Sequence, residues 1–171
     1  GNVLDFCGEC GGSGQTAEDC VEGYELYFAN VDEGAGTVEV WYSSENEIAG
    51  AQFTISGATI SGASGGVAGD FWAGTVSTSG STWIGFSLTG ATIPSGINLL
   101  TVISFEASEA DDLCFDNIVL SSTSGSSFCV DENGADCAGE CATLLGTDCN
   151  GVVGGGAVLD ECGVCDGDGV Q

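Results

Sequence analysis

No side chain in this sequence can carry a positive charge: there are 26 Asp and Glu residues and no Lys, Arg or His. A carboxylate therefore finds no ion-pair partner inside the chain, and an unpaired buried charge is too costly to keep. Any fold must leave its acids at the surface or share them with cations from outside. The same feature removes whole classes of function. Nucleic-acid binding rests on Lys and Arg at phosphates, so nucleic acid is excluded as a partner. Anionic membrane surfaces are excluded on the same ground. No apolar run approaches the roughly 20 residues of a membrane helix, so membrane insertion is not expected. No charged n-region of a signal peptide is present, and the absence of Met predicts a processed product or a fragment.

Acids and cysteines divide the chain in the same places. Residues 1–43 hold nine acids, 44–107 hold four and 108–171 hold thirteen. Three cysteines precede residue 21, none lies between 21 and 113, and seven follow. The predicted map is a Cys/Gly-rich flank over 1–20, a middle domain over 21–121, and a Cys/Asp/Gly-rich flank over 122–171. A hydrophobic content of 43% is enough for the middle to build a core.

Ten cysteines without a histidine point to disulfides made in an oxidising, extracellular compartment. Pairing is expected for most or all of Cys7, Cys10, Cys20, Cys114, Cys129, Cys137, Cys141, Cys149, Cys162 and Cys165. The spacings Cys7-x-x-Cys10 and Cys162-x-x-Cys165 also suit a zinc tetrathiolate, which ranks below disulfides in a chain of this composition. Thioredoxin-like redox chemistry ranks lower again, because no cation is present to depress a thiol pKa. Cys114 falls in the last predicted strand and is expected to tie a flank to the sandwich, through Cys20 or Cys129.

The middle alternates apolar and polar residues in steps of two. "YELYFAN" (24–30), "TVEVWYS" (37–43), "AQFTIS" (51–56), "STWIGFSLTG" (81–90), "LLTVISFEA" (99–107) and "LCFDNIVL" (113–120) are rich in β-branched and aromatic residues. Gly/Ser clusters separate them, and no stretch keeps a helical period. The pattern predicts an all-β fold, an antiparallel jelly-roll-like sandwich with loop-dominated, disulfide-rich flanks. Trp41, Phe53, Phe71, Trp83, Phe86 and Phe105 are the expected core aromatics. The competing use for such residues is a sugar-stacking platform.

"GTVEVWYSSENEIAGAQFTISGATI" followed by "WIGFSLTGATIPSGINLLTVISFEAS" resembles the cohesin-like modules of extracellular bacterial proteins. The likeness covers roughly residues 23–121. It implies a jelly-roll sandwich whose family role is non-catalytic binding or assembly; no dockerin-binding face is identified by these residues. The flanks, in "VDENGADCAGEC", "TDCNGVVGGGAVLDECGVCDGDG" and "VLDFCGECGGSG", are loosely similar to thrombospondin type 3 calcium repeats, with sparser Asp runs.

Calcium takes several carboxylate and carbonyl oxygens from a loop that turns at glycine. "DENGAD" supplies Asp131, Asn133 and Asp136 around Gly134, and "DECGVCDGDG" supplies Asp160, Asp166 and Asp168. Solvated Asp-Gly turns are the plainer explanation of each site alone. Together, 26 acids without one cation favour divalent counterions, so Ca2+ is the expected cofactor. Asp111, Asp112 and Asp116 form a weaker third cluster.

Catalysis has little to work with. No His or Lys can activate a nucleophile. A glycosidase pair needs one acid in an apolar pocket and a second about 5 to 9.5 Å away. Only Glu45, Glu47, Asp70 and Glu106 lie between residues 44 and 107. The chain is not expected to be an enzyme.

One phrase recurs at both ends. "GNVLDFCGECGGSG" (1–14) and "GAVLDECGVCDGDG" (156–169) agree at nine of fourteen positions. Each copy lacks a neighbouring element that the other has, which fits a tandem array or a head-to-tail fibre. The expected function is thus an extracellular structural module of a calcium- and disulfide-stabilised fibre or tandem-repeat adhesin, with further copies of itself as partners. Head would meet tail through residues 1–20 of one unit and roughly 130–171 of the next. Lys–Asn isopeptide cross-links are ruled out by the absence of lysine. The alternative is a cohesin-type module that binds a glycan or an extracellular protein, carried on a calcium-stiffened linker. The plainer explanation of the repeated phrase is a pair of independent capping repeats on a monomeric adhesin domain.

Overall fold

A computed structural model describes residues 23–107, 112–129, 137–139, 141–144, 150 and 165. The alternating segments become strands. These are β1 (Tyr24–Asp32), β2 (Thr37–Ser44), β3 (Gly50–Ser56), β4 (Ala58–Ser64), β5 (Ser77–Ser79), β6 (Thr82–Phe86), β7 (Gly96–Ala107) and β8 (Asp112–Ser121). A six-residue helix, α1 (Gly66–Phe71), sits between β4 and β5. Two short strands from the C-terminal flank follow, β9 (Ala138–Gly139) and β10 (Cys141–Thr143).

The strands form two five-stranded sheets, ordered β4-β7-β2-β1-β9 and β10-β8-β3-β6-β5. The chain makes a hairpin within each sheet, β1–β2 and β5–β6, and otherwise crosses between them. Every pairing is antiparallel except the two-residue β1–β9 contact, which is parallel. The molecule is the expected all-β antiparallel sandwich. β9 and β10 extend one edge of each sheet, so part of the C-terminal flank belongs to the sandwich itself. Among the described residues no helix is long and apolar enough to cross a membrane.

Alternation decides which side chains meet between the sheets. Leu26, Val38, Val40, Tyr42, Phe53, Ile55, Ile103 and Phe105 are buried there. Phe53 stacks on Trp83 at 5.0 Å and meets Phe115 edge-on at 5.3 Å, while Phe28 stacks on Phe115 at 3.9 Å. Burial pushes the Tyr42 phenol above its ordinary pKa, an effect that the Asn98 hydrogen bond opposes. Its hydroxyl donates to Pro94 O at 2.6 Å.

Three of the six aromatics expected in the core are placed elsewhere. Phe71 is 48% exposed and Phe86 is 39% exposed, and Trp41 is half-buried on the outer face of β2. Phe71 ends α1 and Trp72 caps it; of these two neighbours Trp72, 1% exposed, is the one that enters the core. In β6 the inward positions are Trp83 and Gly85, which sends Phe86 outward. Gly85 is required by this packing. A Cβ there would lie 2.7 Å from Trp83 Cη2 and 3.0 Å from Trp72 Cε3.

Candidate functional site

The two flank strands are fastened by disulfides. β10 pairs with β8 so that Cys141 stands opposite Cys114, and their sulfurs are bonded at 2.04 Å. Cys129 is bonded to Cys137. The expectation that Cys114 would pair with Cys20 or Cys129 is corrected. The β8–β10 register brings Cys141 to Cys114, whereas Cys129 lies buried beneath the end of β8, where Leu120 N donates to its Sγ at 3.1 Å. Cys165 is also disulfide-bonded, so it is no thiolate ligand for zinc. Cys7, Cys10, Cys20, Cys149 and Cys162 lie outside the described residues. These bridges place the chain in an oxidising, non-cytoplasmic compartment.

Asp131, Asn133, Asp136, Asp160, Asp166 and Asp168 also lie outside the described residues, as does Asp111 of the weaker cluster. Asp112 and Asp116 are exposed on β8. Among the described residues, no three His, Cys, Asp or Glu side chains gather as a metal site. The four acids considered for glycoside chemistry are all exposed. Glu45 accepts from Gly23 N at 3.1 Å and Glu47 from Thr92 Oγ1 at 3.1 Å. None occupies the apolar pocket that would raise a general acid.

On the outer face of the β10-β8-β3-β6-β5 sheet the exposed acids are confined to Asp112 and Asp116 of β8 among the described strands. β3, β5 and β6 contain no charged residue at all. Register sets Ile84 and Val119 on either side of Gln52, and Thr82 and Asp116 on either side of Thr54. Phe86 and Ser121 flank Gly50, where a Cβ would lie 3.4 Å from Phe86 Cβ and 3.0 Å from Ser121 Oγ. Phe86 and Val119 are 39% and 40% exposed.

A bulge in β8 interrupts the ladder in the middle of this face. The β3–β8 register shifts between Gln52 and Thr54, and Asn117 takes a left-handed φ of 50°. Asn117 Nδ2 donates to Thr54 Oγ1 at 3.0 Å, and Thr54 Oγ1 donates to Asp116 O at 2.8 Å. Beside the bulge, an open groove of about 810 Å3 is lined by Gln52, Thr54, Thr82, Asn117, Val119 and Ser127, among others. Sequence reading missed this face. An outward Thr, Gln or Ile in an alternating strand looks the same whether it meets water or a partner.

No protein-family model matches the chain, and no curated protein matches it. Among solved structures, the chain is similar to a non-cellulosomal cohesin from the hyperthermophilic archaeon Archaeoglobus fulgidus. The TM-score is 0.47 at 10% identity, over 71% of this chain and 91% of that one. It is also similar to a chain in the crystal structure of the CaDoc0917–CaCohA2 complex at pH 5.5. There the TM-score is 0.48 at 19% identity, over 70% of this chain and 98% of the other.

Proposed function

We propose that the chain is an extracellular, non-catalytic binding module whose β10-β8-β3-β6-β5 sheet takes a protein partner on its outer face. The observation that supports this reading is the contrast of surfaces. Three adjacent strands carry no charge in a chain of net charge −26. Ile84 and Val119 on either side of Gln52, with Phe86 at the end of β6, give that face apolar groups, and Gln52, Thr54 and Thr82 give it hydrogen-bonding groups. Exposed apolar groups interleaved with hydrogen-bonding ones suit a protein interface. A sugar-stacking platform has only Phe86 to use on this face, because Phe53, Trp83 and Phe105 are buried in the core. The sequence resemblance to cohesin-like modules points the same way.

A photo-cross-linking residue at position 86, in chain returned to the secreted proteins of its source cells, tests the proposal. A discrete protein adduct from position 86, absent when the cross-linker is at Asp70, is expected. An adduct from both positions, or from neither, overturns it.

A second reading rests on the repeated end phrases and the acid content of the flanks. In it, Asp131, Asn133 and Asp136, with Asp160, Asp166 and Asp168, hold Ca2+, and residues 1–20 of one unit meet roughly 130–171 of the next. A shared divalent ion would turn the repulsion between acidic ends into attraction. Residues 138–139 and 141–143 pair with strands of their own sandwich, which supports a flank that serves its own module at those positions. The binding-module reading therefore takes precedence. Electron micrographs with and without chelator distinguish the two: calcium-dependent filaments would restore the fibre.

A further inference from the structure

The other sheet carries a second surface, built from aromatics and carboxylates. On its outer face the register sets Tyr27 opposite Trp41, and Trp41 opposite Leu99. Glu25 stands opposite Ser43, and Glu39 opposite Ala29, in the rows on either side. Leu26, Val40 and Tyr42 are buried between the sheets, so the pleat sends Glu25, Tyr27, Glu39 and Trp41 outward. Trp41 and Tyr27 are half-buried there. Trp41 Nε1 donates to Glu39 Oε2 at 2.8 Å, and Asn30 Nδ2 donates to the same oxygen at 2.9 Å. Two donors hold the carboxylate beside the indole while using two of about four acceptor positions.

We propose that this face receives an arginine side chain from a partner protein. An aromatic ring attracts a cation to its face, and Arg stacks there more readily than Lys. A carboxylate held alongside adds a charge-assisted hydrogen bond to the guanidinium. The field of 26 acids concentrates cations at the surface generally, and the Trp41–Glu39 pair supplies a place where one of them is recognised. Charge complementarity also decides the occupant. This chain has no Lys, Arg or His, so a second copy of it cannot supply the guanidinium. The surface is distinct from the Phe86 face, which lies on the opposite sheet.

The test is an NMR titration of the whole chain at physiological salt with a blocked Gly-Arg-Gly peptide. The same peptide with citrulline, the uncharged isostere of arginine, is the control. The Arg peptide is expected to shift the Trp41 indole N–H resonance saturably, and the citrulline peptide is not. Trp41→Ala leaves the charge unchanged and should weaken binding by about two- to fivefold. Trp41→Phe keeps a ring and should retain most of the affinity, which separates loss of the ring from loss of the fold. Glu39→Gln should weaken binding more than Asp70→Asn, a change to an acid on α1. Equal binding by Trp41→Ala and the unaltered chain would overturn the proposal, as diffuse attraction to the acids. So would equal losses from Glu39→Gln and Asp70→Asn. A shift produced by a gluco-oligosaccharide and not by the Arg peptide would overturn it in favour of a sugar platform. The position-86 cross-link is independent of all these outcomes.

Discussion

Cys141 lies directly opposite Cys114 in the antiparallel β8–β10 register, with Cα atoms 4.2 Å apart. A three-residue edge strand has too few ladder bonds to hold itself against a sheet. The disulfide supplies what the hydrogen bonds do not, and it does so across 27 residues of chain.

Replacing Cys114 and Cys141 together by Ser is expected to cost about 2–4 kcal/mol of stability, measured by reversible denaturant unfolding. Hydrogen exchange should show where the loss falls. Amide protection at Ala142 should collapse, while Phe53 in the centre of β3 keeps its protection relative to global unfolding. Protection surviving at Ala142 would mean that β10 docks without its bridge.

Gly85→Ala places a methyl group against two buried indoles, 2.7 Å from Trp83 and 3.0 Å from Trp72. Overpacking of this kind costs about 1–3 kcal/mol. Gly69, by contrast, lies in α1 with nothing within 4 Å of its added Cβ. Gly69→Ala should be neutral or stabilising by up to about 1 kcal/mol. Thermal melts of the two variants side by side check the pair, with tryptophan fluorescence expected to change only for Gly85→Ala.

Tyr42 makes the fold sensitive to alkali. Its phenol is raised by burial in the folded state, while in the unfolded chain it ionises near the ordinary value of about 10. Above that pH the unfolded state holds fewer protons than the folded one, so stability falls as pH rises. Below it the contribution is fully present. Tyr42→Phe removes the bond to Pro94 O and should cost about 0.5–1.5 kcal/mol at neutral pH. The same variant should lose less stability than the parent as pH rises above about 10, the free phenol value. Equal slopes in the two proteins would remove Tyr42 as the cause.

Calcium is expected to stabilise the folded chain by mass action, by about 2.7 kcal/mol at a hundredfold excess over Kd. Melting temperatures with calcium and with chelator measure this directly. Asp131→Asn with Asp136→Asn, and separately Asp166→Asn with Asp168→Asn, should each remove part of the gain. Melting indifferent to chelator would dispose of both sites.

Much of the sandwich was legible along the chain because burial on one side of a sheet imposes a period of two. Leu26, Val38, Val40, Phe53, Ile55 and Phe105 sit where that period puts them. The period was misleading where a glycine held an inward position. "WIGF" reads as aromatic at both ends, yet the second core position belongs to Gly85, and Phe86 points to solvent. β4 was missed for a related reason. "ATISGAS" is Gly- and Ser-rich, and pairing along β7 makes a strand of it against its own propensity.

The absence of any cationic side chain, written in composition alone, determined that no acid meets a Lys, Arg or His within the chain. Alternation determined the all-β class. Tertiary structure decided what depends on distant residues meeting. It brought Cys141 across from Cys114, set Trp41 beside Tyr27 and Leu99, and chose Trp72 over Phe71 for the core. It also gathered β3, β5 and β6 into one uncharged face. A strand's sequence records which side chains share a side, because that is set by the pleat of its own backbone. Which strands become neighbours is set by how the two sheets close over one another, and no local pattern records it.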